Sequence, residues 1–161
     1  DEFNFLIGLG SFLIAQLCYL MAFAHNVGSV GGPQGILVSI VLSVGIIAFG
    51  YFFASDLMPR VDENIMLPVL LYAIVITLMG VGASFRFGRT YLQSFLLVFF
   101  GALLFITSDS ILATNRFSRQ LDHAQWSVML TYAAAQFLIA LGCLKHVLDP
   151  EEIRRRQALT T

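Results

Sequence analysis

Charge is scarce in this chain. Asp, Glu, Lys and Arg make up 12% of its 161 residues, about half the share usual in a soluble domain. The formal net charge is −1, so no broad basic surface is expected and nucleic acid is excluded as a partner. Cysteine is limited to Cys18 and Cys143. Both fall in apolar runs, where thiols behave as small hydrophobes and say little about redox compartment. Histidine is limited to His25, His123 and His146, and no two lie three or four residues apart. No metal site and no cofactor is therefore expected. An initiator methionine and the charged start of a signal peptide are also missing. The opening "DEFNFLIGLG" reads as the loop and first turns of something longer.

Apolar residues are what the chain has in abundance. They amount to 58%, with 15 phenylalanines, and the mean hydropathy is +0.82. A membrane helix needs about 20 mostly apolar residues, and five stretches qualify: 4–24, 35–55, 65–84, 92–114 and 124–147. The expected fold is an all-α, polytopic transmembrane helical bundle over residues 1–148, followed by a polar tail over 149–161. The connections are glycine-rich ("HNVGSVGGPQ"), charged ("DLMPRVDEN") or short and basic ("RFGRT"). Pro68 is expected in the first turn of its span, where a missing N–H costs little. Small residues at helical spacing, Ser11 with Ala15, Ser39 with Ser43, and Ala133 to Ala135, predict close helix packing.

Cations set the orientation. Arg60, Arg116 and Arg119 fall on the side of residue 1, whereas Arg86, Arg89, Lys145, Arg154, Arg155 and Arg156 fall on the other. The larger group predicts a cytoplasmic C-terminus in an integral multi-pass protein. A bacterial inner membrane is the first expectation, the endoplasmic reticulum if the source is eukaryotic. An odd number of spans starting outside also fits an odd number of helices before residue 1.

Few polar side chains lie inside these runs. Asp109, in "FITSDSILATNRF", is the only carboxylate internal to a span. An ionised Asp at mid-helix costs on the order of 3 kcal/mol. Near an interface it would snorkel to water. Buried and desolvated, it would instead hold its proton and serve as a donor near neutral pH. Thr107, Ser108 and Ser110 flank it, available to bond it or to cap nearby carbonyls. Arg116 lies two turns further on the same face, roughly 10 Å along the axis. Gln16 with Tyr19, and Gln136 with Tyr132, form two short polar stripes at helical spacing. Each reads either as a site or as an interhelical hydrogen bond. Tyr72 presents the same choice, since a buried phenol needs a partner. Trp126 reads as an interfacial anchor.

Four segments occur in an order that resembles the YhhN/TMEM86 family of integral membrane lysoplasmalogenases: "FLIGLGSFLIAQLCYLMAF", "LPVLLYAIVITLM", "GALLFITSDSILATNRF" and "VMLTYAAAQFLIALG". The resemblance implies about eight transmembrane helices and hydrolysis of the vinyl ether of lysoplasmalogens. The products would be a fatty aldehyde and glycerophospho-ethanolamine or -choline. It implies two essential aspartates, of which Asp109 matches one. The other belongs to a Gly-Asp motif in an earlier helix and has no counterpart here. It implies three helices before residue 1, and that the 161 residues alone would be inactive. Relatives carry His where this chain has Gln16. On this resemblance Asp109 is the catalytic acid. Gln16, Tyr19, Tyr72, Ser108, Tyr132 and Gln136 are substrate-binding candidates, and the partners are a lysoplasmalogen or related lysophospholipid and membrane lipids.

Two other functions suit an intramembrane acid. A transporter would use Asp109 to carry protons or pair with a cationic substrate, but no inverted repeat or broken helix pair is evident. A scaffold would use Asp109 and the glutamines only to hold helices together.

Overall fold

The computed structural model describes residues 2–25 and 32–149. It contains five long helices: α1 Glu2–Ala24, α2 Pro33–Leu57, α3 Glu63–Ser84, α4 Leu92–Ala113 and α5 Ala124–Val147. All five are long and apolar enough to cross a membrane, and the described residues contain no strand. The helices match the five expected apolar runs to within about two residues at each end, as boundaries of this kind do. The predicted polar tail from residue 150 onward lies outside the described residues.

Local chemistry explains where the helices start and stop. Pro33 opens α2 at its first position, where its fixed φ suits the helix and no N–H is needed. A 3₁₀ turn, Met58–Arg60, closes α2, and a wide π turn, Thr114–Ser118, extends α4. His123 precedes α5 in the left-handed region, at φ 59°. Pro68 corrects one expectation. Because α3 begins at Glu63, Pro68 sits in the second turn and removes a bond to the Asn64 carbonyl.

Helix α3 is the hub. It packs against α1, α2 and α4, and α4 in turn packs most extensively on α5. Glycine permits that last contact. A Cβ on Gly101 would lie 2.8 Å from the Ile139 side chain and 3.0 Å from the Ala135 carbonyl oxygen. A Cβ on Gly142 would lie 3.0 Å from the Ser94 carbonyl oxygen. Ser94 Oγ donates to the Gly142 carbonyl at 2.7 Å, tying the two helices at that level. Phe105, Val98, Ala102, Ala135 and Ile139 fill the shared core. Ala135, from the predicted small-residue triplet, is fully buried in it.

Outward faces are apolar, as a lipid-facing bundle requires: Leu37, Phe52, Leu130 and Phe137 are each exposed. Trp126 is exposed at the start of α5, where an interfacial anchor would stand. Ser39 and Ser43 are buried and donate to carbonyls one turn back on α2. Ser11 departs from the packing expectation: it is exposed and donates to the Ile7 carbonyl of its own helix.

The basic connection after α3 is also more than a surface loop. Arg86 is 2% exposed. It donates to Ser94 Oγ at 3.1 Å and lies 5.6 Å from the Phe23 ring centre. Burial lowers its guanidinium's proton affinity below the usual value, although guanidinium remains charged. Gly88, at φ +71°, lets this loop approach α2 so closely that a Cβ would sit 3.2 Å from Gly35 Cα.

Candidate active site at Asp109

Asp109 lies in the last turns of α4, on the face turned toward α1 and α3, and it is only 9% exposed. Two donors reach it from different helices. Gln16 Nε2, from α1, donates to Asp109 Oδ2 at 3.1 Å. The Tyr72 hydroxyl, from α3, donates to the same oxygen. Among the described residues, no hydrogen bond is made to Oδ1. The three helices thus hold one carboxyl oxygen and leave its twin open.

Gln16 is fully buried, and its Oε1 has no hydrogen-bond partner. Leaving a buried acceptor unsatisfied costs about 1–3 kcal/mol. The amide is therefore placed for what its donor does at Asp109 rather than for stability alone.

Two clefts meet at this point. One, with about 560 Å³ of empty space, lies among α2, α3 and α4 and is lined by Phe49, Phe53, Ile76, Tyr72 and Asp109 among others. The other, with about 600 Å³, lies among α1, α3 and α4 and is lined by Asn4, Phe5, Phe12, Tyr72, Asp109 and Phe117 among others. Asp109 and Tyr72 line both, and no other Asp or Glu lines either. The walls are otherwise almost entirely apolar, which suits an alkyl chain.

The flanking hydroxyls do not bond Asp109. Thr107 Oγ1 donates to the Leu103 carbonyl and Ser110 Oγ to the Ile106 carbonyl, each one turn back. Ser108 Oγ donates across to the Val128 carbonyl of α5 at 3.1 Å. Arg116 does not reach Asp109 either. Its guanidinium lies 5.2 Å from the Phe5 ring centre.

The two predicted polar stripes are split rather than joined. On α1, Gln16 turns to Asp109, whereas the Tyr19 hydroxyl donates to Gln136 Oε1 of α5. Tyr132 packs edge-on against Phe12 and Phe105, at 5.3 and 5.5 Å between ring centres. Phe12, Tyr19, Phe105 and Tyr132 form one aromatic cluster through these contacts. Of the seven predicted site residues, the structure brings together Asp109, Tyr72 and Gln16. Of these three only Asp109 and Tyr72 line the clefts; Gln16, Ser108, Tyr19, Tyr132 and Gln136 line neither. Sequence reasoning missed Asn4, Phe5 and Phe117 as cleft residues, since a lone amide at the start of a span and phenylalanines in a chain rich in them carry no signal.

The described residues contain no group of three His, Cys, Asp or Glu able to hold a metal ion. What the arrangement provides is a carboxyl group with one oxygen anchored by two donors, on a residue that lines two largely apolar clefts.

Comparison with known proteins agrees with the residues. The chain is 31% identical over 144 residues to the human lysoplasmalogenase TMEM86B, covering 88% of this chain and 54% of that protein. The pig lysoplasmalogenase TMEM86B is 34% identical over 138 residues, 86% of this chain and 53% of that protein. A lysoplasmalogenase of Mycobacterium tuberculosis is 27% identical over 142 residues, 86% of this chain and 50% of that protein. The chain thus spans about half the length of the curated relatives it matches. No solved structure gives a significant match. The YhhN family matches residues 1–143, and the chain belongs to that family.

Proposed function

We propose that this protein is a membrane-embedded hydrolase that cleaves the vinyl ether bond of lysoplasmalogens, with Asp109 as the acid that starts the reaction. The observation that carries this reading is the asymmetry of the carboxyl group. Both donors meet Oδ2, so in the acid form the proton resides on Oδ1, and Asp109 lines two largely apolar clefts. Relatives that carry the name lysoplasmalogenase support the same substrate class.

The chemistry follows from that placement. Asp109 Oδ1 gives its proton to the β-carbon of the vinyl ether, and the ether oxygen's lone pair completes an oxocarbenium ion. The new carboxylate faces that cation and stabilises it, with Tyr72 and Gln16 supporting the negative charge. Water then adds to the carbon bearing the ether oxygen and passes a proton to Asp109, which restores the acid. The resulting hemiacetal breaks its bond to the glycerol oxygen, which takes up the hydroxyl proton, and releases the aldehyde. Paired carboxylates in glycosidases handle a comparable cation. No metal and no cofactor is needed for any step. The substrate enters from the membrane, and an integral multi-pass protein with its C-terminus on the cytoplasmic side fits the cation distribution.

The test is substrate selectivity. The natural protein in detergent is supplied with 1-alkenyl, 1-alkyl and 1-acyl lysophospholipids of one chain length. Aldehyde from the alkenyl lipid alone is expected, because only a vinyl ether accepts a proton on carbon. Cleavage of the acyl lipid at a similar rate would overturn the reading in favour of an esterase.

A further inference from the structure

We propose that Arg116 is the phosphate-binding residue of the α1/α3/α4 cleft, and that it fixes the lysophospholipid with its vinyl ether at Asp109. This rests on the hydrolase reading above and deepens it.

Three observations lead there. First, Arg116 stands at the lip of the cleft. Its guanidinium lies 5.2 Å from the Phe5 ring centre, and Phe5 and Phe117, themselves 5.6 Å apart edge-on, line the cleft that ends at Asp109. Second, its charge has no partner among the described residues. Arg60, at the same end of the bundle, is held by Asp56 at 2.5 and 3.0 Å. Among the described residues Arg116 makes no ion pair and no hydrogen bond, and its side chain is exposed. One face of the guanidinium rests on Phe5, which leaves the N–H edges available for a two-point contact with phosphate. Third, the turn that carries it is fixed. Residues Thr114–Ser118 form a π turn closed by Arg119 N–H on the Thr114 carbonyl at 2.9 Å. The Leu121 N–H donates to Asn115 Oδ1 at 2.9 Å and pins the segment that follows. Such π turns recur at functional sites.

The spacing acts as a ruler. Seven residues of helix separate Asp109 from Arg116, about 10 Å along the axis. Seven bonds separate the protonated β-carbon of a 1-alkenyl lysophospholipid from its phosphorus, about 8 Å when extended. With Oδ1 against that carbon, the phosphate reaches the guanidinium without strain. The alkyl chain then runs the opposite way, along the apolar helices. The choline or ethanolamine group lies beyond the phosphate in solvent, so Arg116 reads phosphate and not the amine.

The experiment compares kcat/KM of the natural protein on 1-alkenyl-glycerophosphocholine, 1-alkenyl-glycerophosphoethanolamine and the phosphate-free 1-alkenylglycerol. Wild type is set beside Arg116→Gln, which keeps an aliphatic stem over Phe5, Arg116→Lys, and Arg119→Ala as a neighbouring-charge control. The ratio of phosphate-bearing to phosphate-free activity is expected to fall about tenfold or more in Arg116→Gln, mainly through KM and equally for both head groups. Arg116→Lys should lie between, and Arg119→Ala should match wild type. An unchanged ratio in Arg116→Gln, or an equal fall in Arg119→Ala, would overturn the assignment. A wild type that cleaves none of the three substrates would overturn the hydrolase reading itself, and this inference with it.

Discussion

On one side of α4, Gly101 and Gly142 bring α5 close enough that a methyl group would collide with backbone, and Ser94 ties the two helices together. On the other side, two clefts that share Tyr72 and Asp109 open beside α4, one toward α2 and α3 and one toward α1 and α3. Asp109 belongs to the open side, and Ser108, next in sequence, to the closed one, where it bonds the α5 backbone. One helix thus serves as both frame and site. The close-packed face fixes where α4 stands, and the opposite face carries the two clefts that Asp109 lines. The contrast also shows why the same residue types do different work. Gln136 is satisfied by Tyr19 between α1 and α5, whereas Gln16 leaves an oxygen unpaired to reach Asp109.

Substitutions on the two sides should therefore separate stability from activity. Gly101→Leu has the largest expected effect. The added side chain meets the Ala135 carbonyl and the Ile139 backbone at about 3 Å, and overpacking of this kind costs on the order of 3 kcal/mol. The thermal midpoint in detergent should drop steeply, and an unchanged midpoint would break the contrast. Tyr72→Phe keeps the ring and removes one donor from Asp109. Bonds to a charged group are worth about 1.5–3 kcal/mol, so kcat should fall roughly tenfold to a hundredfold with little change in midpoint. Gln16→Leu removes the other donor along with the unpaired oxygen. Aldehyde release should fall about tenfold, while the midpoint holds or rises. Tyr19→Phe has the smallest effect: stability should fall by about 0.6 kcal/mol, read as a slightly lower midpoint, and activity should stay as it was. If Tyr19→Phe lowers activity as much as Tyr72→Phe, the site extends across the aromatic cluster and the two-sided account needs redrawing.

The helices were legible because a bilayer asks for little: about 20 apolar residues in a row, and five such runs stand apart in the sequence. Pro68 was misjudged by a turn, since charged Glu63 and Asn64 join α3 although composition places them in the loop. Asp109 was legible because an acid inside an apolar run is conspicuous. Its partners were not. Spacing along one helix groups Gln16 with Tyr19 and Tyr132 with Gln136, but the bonds run between helices and split the pairs, and which helix faces which is a property of packing. Arg116 carries the same lesson. Sequence measures its distance from Asp109 along α4, and only the fold turns it over Phe5 at the lip of a cleft.

The central claim is that Asp109 supplies the proton. The direct measurement is aldehyde release from a 1-alkenyl lysophospholipid by wild type and by Asp109→Asn, with the thermal midpoint of each recorded beside it. Asparagine keeps the shape and an acceptor for Tyr72 but has no acidic proton. A loss of at least about a hundredfold is expected in a variant that remains folded. A folded Asp109→Asn protein that releases aldehyde at the wild-type rate would contradict the account.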